Sequence, residues 1–333
     1  IKSYNLTMIF VEHDERFIEK IATKIDKSKN FSKKFEAIFN EFLFPEAHDF
    51  GKCFDKLTLL SIGYGIKEYT LDLVFLIRAT EVMHNLYKER GLSEDLFWHT
   101  IKDLKYKYDE CVKCKEVHGT FVPWWNTEFF ALRRFALGRY QFDMSTYGGE
   151  DFTASCGITI KKGDKTLGFH IPSSGIPLTD EVRLDSFKQA YQFFPEFRRE
   201  DGLMIFECGS WLIFEEYKKF LPENSNTIKF INDFEIVSSE ARDKFNDAWR
   251  IFNKSGYKSP KKWDEDTSMQ RAFKKHVLSG GKTGHGHGII VFDGEKIVRS
   301  FTAATAKEAE RTAEEWQRHL KMIGSDFSRM TVL

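Results

Sequence analysis

Three short stretches concentrate the residue types that can do chemistry. The first is His170 with the turn IPSSGIPLT (171–179) behind it. A histidine titrates near neutrality and can take a proton. The turn offers backbone amides from Ser173 through Gly175 and runs into a helix start at Thr179, with Asp180 and Glu181 in the first turn. Such a helix N-terminus carries about half a positive charge and free N–H groups, which suit a phosphate. Gly175 lets a ligand approach the backbone closely. The plain alternative is an ordinary turn before a capped helix. The second stretch is ECGSW (207–211), with Glu207, Cys208, Ser210 and Trp211. Cys208 is a nucleophile only with an activating base beside it; in a short apolar strand a cysteine is otherwise packing. Strand alternation puts Glu207 and Cys208 on opposite faces, so at most one faces a cleft. Trp211 reads as a wall of the core or of a pocket.

The third stretch is SGGKTGHGHGIIVF (279–292). Its GKT resembles a phosphate loop, but such a loop follows a strand and opens a helix. Here TSMQRAFKKHVL (267–278) is the helix, and GKT comes after it. Gly280 and Gly281 therefore read as a helix end, and a nucleotide hydrolase fails on element order. His285 and His287, two apart, share one face of a strand and can hold a metal, yet the pattern forces no third ligand nearby. A mobile glycine loop over a cleft and a plain connector are the other readings. Cys111, Cys114 and His118 have the spacing of a zinc knuckle without its second half. They share one helical face, which burial also explains. WWNTEFFALRRF (124–135) brings Trp124, Trp125, Glu128, Arg133 and Arg134 together. Its arginines can meet phosphates or an acidic acceptor, or the segment is a junction helix with aromatic anchors.

The elements that must position these residues fall into two halves. Apolar residues at three and four spacing predict a helical bundle from 14 to about 137, with Ser93 capping one helix and Gly91 and Gly119 ending helices. From Arg139 the pattern changes. Strands are predicted over 139–145, 154–162 and 166–172, then a helix from 179 to about 194, a strand over 203–209 and a short helix over 211–221. A strand over 227–237, a helix over 239–253 and an Asp-Gly hairpin over 291–298 follow, with a charged amphipathic helix over 307–320. We read residues 1–137 as a helical domain, 138–323 as a mixed domain with a C-terminal hairpin and helix, and 324–333 as a tail. The fold class is α+β, a helical bundle followed by a mixed, mainly antiparallel sheet flanked by helices.

Fifty basic and fifty acidic residues cancel, so no net pull towards nucleic acid or anionic membrane follows. Five cysteines, odd in number and sparse, fit a reducing compartment better than a disulfide framework. No run approaches the ~18 apolar residues of a membrane helix, and no signal peptide is visible. The expectation is a cytoplasmic protein. The 33 phenylalanines supply area for a large core.

Helices, then strands, a loop, a helix and a further strand make an order similar to the GNAT-type acyltransferase fold. More specifically, WWNTEFFALRRFALGRYQFDMS, GFHIPSSGIPLT, CGSWLIF and LPENSNTIKFINDFEI resemble a bacterial family of two-domain acyltransferase-like proteins. The likeness covers roughly residues 1–300. It implies a cleft between two splayed strands in which an acyl group passes directly from acyl-CoA, a co-substrate, to the amine of a small molecule or peptide, without a metal. By that resemblance Pro172, Ser173, Ser174, Gly175 and Thr179 cradle the pyrophosphate, and His170 faces the acceptor amine. Glu207 is a base acting through water, Ser210 protonates the leaving thiolate, and Cys208 is an alternative acyl acceptor. Trp125, Arg134, Trp211 and Asn226 contact substrate. The chain departs from the family at Gly209, where a histidine is expected, and lacks the glutamine-and-glycine signature of the coenzyme A loop. A non-catalytic, ligand-binding or protein-interaction member is the rival reading. The C-terminal helix can pair with a second copy.

Overall fold

The computed structural model describes residues 20, 23, 28–43 and 50–299. The predicted helix at 307–320, the tail, and pairing through the C-terminal helix lie outside the described residues, as does the start of the helical bundle at 14–25 apart from residues 20 and 23.

The helical half packs around α3 (Glu68–Glu89), which buries Leu71, Phe75 and Leu76 completely. α1 (Lys29–Leu43) and α2 (Phe50–Tyr64) cover it on one side, and Phe35, Phe39 and Phe54 each set a ring edge-on against Phe75. α4 (Glu94–Ile101) starts as expected, with the Ser93 hydroxyl accepting from the Leu96 amide. α5 (Asp103–Lys115) ends at Glu116, in the left-handed region at φ 54°, so Gly119 is not that helix end. Gly119 instead lies against the Tyr69 carbonyl, where a Cβ would come within 2.2 Å.

The second half is a six-stranded sheet in the order β1-β2-β5-β6-β8-β7. Its strands are β1 (Arg134–Leu137), β2 (Tyr140–Thr146), β5 (Lys165–His170), β6 (Met204–Ser210), β7 (Glu235–Arg242) and β8 (Thr283–Phe292). Every pairing is antiparallel except β5 with β6. The sheet thus begins at Arg134, and β1 turns into β2 through Gly138, whose φ of +61° only glycine adopts freely. The helical half docks on this edge: Thr100 Oγ1 accepts from the Ala136 amide, and the Gln141 amide nitrogen donates to Asp103.

Strand alternation divides the sheet into two faces. The inner face is aromatic. α6 (Asp180–Phe193) lays Phe187 on it, with ring centroids 4.8 Å from Phe206, 5.3 Å from Phe169 and 5.4 Å from Tyr140. Much of the phenylalanine excess is spent here. The outer face is half covered. A small hairpin of β3 (Phe152–Thr153) and β4 (Thr159–Ile160) buries Tyr147, Ile160, Ile205, Ile289 and Val291. The rest of that face stays open and polar.

Four expectations about elements need correction. The predicted strand at 154–162 is broken by a turn at Gly157 (φ +85°) and forms that separate hairpin, so β2 pairs directly with β5. Residues 211–221 form two 3₁₀ segments, Trp211–Ile213 and Glu215–Lys219, rather than one helix. The predicted strand at 227–237 begins as a helix, α7 (Asn226–Asn232), because the Ser225 hydroxyl caps it and Thr227, Ile228, Phe230 and Ile231 all face inward at helical spacing. The predicted helix at 239–253 starts as β7 and becomes helical only at α8 (Ala248–Phe252).

The stretch at 279–292 is also resolved. α9 (Ser268–Leu278) carries a capping box between Thr267 and Gln270, and Gly280 follows its end at φ +86°. GHGHG then lies inside β8, so it is neither a mobile loop nor a plain connector. Its glycines face inward, where other chain segments come very close. A Cβ on Gly284 would sit 2.2 Å from the Glu240 carbonyl, and one on Gly286 2.5 Å from the Ile213 carbonyl. The alternating histidines face outward.

Candidate active site

The chemistry of this molecule collects where β5 and β6 part. Their parallel pairing lasts for two positions, Leu167 with Phe206 and Gly168 with Glu207. Beyond it, β6 stays in register with β8 through Ser210 while β5 turns away at His170. Two cavities meet at the opening. One, of about 480 Å³, lies along the 171–173 turn and the end of β6; the other, of about 520 Å³, lies on the open outer face. Phe169, His170, Cys208 and Gly209 line both.

The turn after His170 is held from behind. Arg139, buried, donates from Nη1 to the Pro172 carbonyl and from Nε to the Ile176 carbonyl, both at 2.8 Å. Ser173 donates its hydroxyl to Glu110 of α5. The Ser174 amide bonds the Pro172 carbonyl and the Ile176 amide bonds Ser174 Oγ. The Ser173 and Gly175 amides meet no acceptor among the described residues. Gly175 has φ +76°, and no atom lies within 4 Å of where its Cβ would be, so this side of the turn is open. Thr179 is used as the helix cap, its hydroxyl accepting from the Val182 amide at 3.4 Å. The acid Asp180 is tied to Lys229 and Arg183.

On the outer face stand two imidazole–carboxylate pairs. His170 Nε2 is 2.6 Å from Asp143 Oδ2. Asp143 also accepts from Arg134, which is 5% exposed, and Trp125 lies between Arg134 (3.9 Å from its ring) and His170 (4.7 Å ring to ring). Burial alone would push the Asp143 carboxyl up, but the bonds from His170 and Arg134 outweigh it and hold the group below the usual carboxylate range. The second pair is His287 Nε2 with Glu207 Oε2, at 3.2 Å. Glu207 also accepts from Thr166 at 2.5 Å and Ser145 at 3.0 Å. Burial again opposes ionisation, and the three donors, His287 first, bring its pKa down.

Of the residues singled out in the sequence, the fold brings His170, Trp125, Pro172, Ser173, Cys208, Ser210 and Trp211 to one cavity and Glu207 to the other. Ser210 Oγ accepts from the Leu212 amide at 3.1 Å, leaving its proton free to be donated. Ser174, Gly175 and Thr179 lie further along the turn. Several expectations shift. Arg134 is committed to Asp143 and the Trp125 carbonyl, so it positions His170 and is not open to a phosphate. Asn226 starts α7, and neither cavity reaches it. Cys208 faces the aromatic core and burial pushes its thiol up to about 12, with no base against it. The zinc-like set does not converge either. Cys111 and Cys114 are buried with thiols raised to about 12 and about 11, while His118 Nδ1 is bonded to the Tyr108 hydroxyl. Among the described residues no group of three or more ligands stands ready for a metal.

The sequence reading missed Asp143, Arg139 and Glu110. Only the Asp143–Arg134 pair left a signal: nine residues apart across a tight β-turn, they sit directly opposite on β1 and β2.

Residues 23–132 match the family of N-acyltransferase N-terminal domains, and residues 134–290 match the family of GNAT-like C-terminal domains. The chain belongs to this two-domain N-acyltransferase family. Its fold is shared with solved structures. One is an acyltransferase in complex with decanoyl-CoA (TM-score 0.56, 21% identity). Another is an acyltransferase in complex with CoA and 10C-teicoplanin (TM-score 0.57, 20% identity). Each likeness covers 67% of this chain, and the chain spans 66% of the length of each of those proteins. Among curated proteins none matches. No helix among the described residues is long and apolar enough to cross a membrane.

Proposed function

We propose that this member of the family moves an acyl group from an acyl-CoA to an amine on a small molecule or peptide. The observation that carries the reading is the opening between β5 and β6, with a phosphate-suited turn on one side and an acid-base face on the other. The pyrophosphate of the donor rests on the Ser173 and Gly175 amides, and the pantetheine arm follows the first cavity to the gap. The thioester carbonyl then lies beside Gly209, where the rings of His285 and His287 wall the gap. The acceptor enters by the outer-face cavity. His170, oriented by Asp143, takes a proton from the attacking nitrogen. Ser210 gives its proton to the departing thiolate. Holding both reactants in line supplies much of the acceleration, with no covalent enzyme intermediate; Cys208 has no role. A coenzyme A thioester is an intracellular donor, which suits a cytoplasmic setting.

The bare Gly209 favours a second reading, in which the cleft binds an acyl-CoA without turning it over. Calorimetry with acetyl-CoA and decanoyl-CoA, followed by a free-thiol assay with pooled primary amines, separates the two. Binding with amine-dependent thiol release supports the transferase. Tight binding without release from any pool refutes it, and absence of binding sinks both.

A further inference from the structure

The outer-face cavity holds two imidazole–carboxylate pairs, and the proposal above uses one. Converting an ammonium into an amide removes two protons from the same nitrogen. One leaves before attack, to free the lone pair. The second leaves the tetrahedral adduct as the C–N bond is completed and the C–S bond breaks. One proton equivalent ends on the thiolate and the other reaches water. A single imidazole would have to discharge between the two steps while the site is filled.

We propose that His287, held by Glu207, is a second proton acceptor: it takes the first proton from the incoming ammonium, and His170 takes the second from the adduct. This rests on the acyl-transfer reading. The geometry that points to His287 is independent of His170. Glu207 is fixed by three donors on two oxygens, so its orientation towards His287 Nε2 is set. A carboxylate there keeps the proton on Nε2 and leaves Nδ1 as the base. Nδ1 has no partner among the described residues. His287 sits opposite Gly209 in the sheet register, where a Cβ at 209 would lie 3.3 Å from His285 Cε1 and 3.9 Å from His287 Cδ2. The imidazole therefore borders the gap beside that of His285. His170 lines both cavities and stands nearer the thioester, whereas His287 lines only the acceptor side. The other ionisable groups around His287 are Tyr147, whose ring is stacked at 6.4 Å, His285 on the same strand, and Asp143 and Glu128 across the cavity. Asp143 and Glu128 are each paired with an arginine, which leaves Glu207 as the carboxylate that His287 answers to.

The test is thiol release from acetyl-CoA with a pool of ethanolamine, spermidine and a lysine-containing peptide, followed across pH. In the unaltered protein the acid limb of kcat/KM should reflect two groups that must be unprotonated. His287→Gln keeps a donor to Glu207 but cannot accept the proton. It should lower kcat/KM by about 10²-fold and reduce the acid limb to one group, with acetyl-CoA affinity unchanged. Glu207→Gln should do the same, and the double variant should be no worse than either alone. In His287→Ala, added imidazole should restore part of the rate. A His287→Gln protein with the original rate and a two-group limb overturns this proposal alone. Absence of thiol release from the unaltered protein overturns the acyl-transfer reading and this one with it.

Discussion

Replacing Asp143 by Asn separates what this carboxylate does for stability from what it does for chemistry. Arg134 is 5% exposed and spends its guanidinium on Asp143 and the Trp125 carbonyl. Asn keeps the shape and one acceptor but removes the charge, leaving a buried cation without a counter-ion. Breaking such a pair costs roughly 3–5 kcal/mol; the surviving acceptor puts the expected loss near the lower end, about 3 kcal/mol. At about 2–4 °C per kcal/mol for a large domain, thermal unfolding should fall by roughly 6–12 °C. Substituting both partners, Arg134→Met with Asp143→Asn, removes the orphaned charge, and most of that stability should return. Turnover should not return, because His170 has lost the group that fixes its tautomer, and an orienting carboxylate of this kind is worth on the order of 10²–10⁴ in rate. Thermal scans and thiol release on the three proteins make the measurement. A double variant as unstable as Asp143→Asn would refute the buried-cation account; one with full turnover would reduce Asp143 to a structural partner. The sign of the pH dependence follows from the depressed Asp143 and Glu207 carboxyls. Their contribution is complete above the ordinary carboxylate pKa of about 4 and is lost as pH falls through the lower folded values. Asp143→Asn should therefore flatten the acid side of the stability curve.

Gly175→Asp places a carboxylate beside the turn amides at a position with φ +76°; acetyl-CoA binding by calorimetry should weaken by about tenfold or more, while Gly175→Ala weakens it less. Gly286→Ala would set a methyl 2.5 Å from the Ile213 carbonyl, and overpacking of this kind costs about 1–3 kcal/mol, read as a lower urea midpoint. Cys208→Ala should keep turnover, and in the unaltered protein a thiol raised to about 12 should resist alkylation at mildly basic pH until the chain is unfolded.

The sequence was most informative where local signals and tertiary packing agree. The turn at 171–179, the capped helix after it and the strand carrying Glu207 were all legible, because capping and apolar periodicity are local. It misled at 227–253. β7 is an edge strand whose last five residues are exposed, so it shows no apolar alternation and its Glu, Ser, Ala and Arg content resembles a helix face. Before it, Phe230 sets its ring edge-on against Phe234, which stacks on Phe169, and that packing favours a helix over the strand the pattern suggests. In the site, His170 and Glu207 stood out as polar residues interrupting apolar strands. The partners that give them direction did not, since Glu207 meets His287 across 80 residues of chain. The G-H-G-H-G alternation was the available clue: a period of two with nothing on one side means that side is crowded.

That crowded strand also fixes a timetable. β8 arrives last in the described sheet, yet it lies between β6 and β7 and bonds to both. A ribosome that has made everything through Arg271 has produced both rims of the cleft but not the strand bearing His285 and His287. Until that strand inserts, β6 presents an unpaired edge, the kind that recruits other chains, and the long-range closure makes the step slow. Chains released early at this point should accumulate as aggregates rather than as weakly active enzyme.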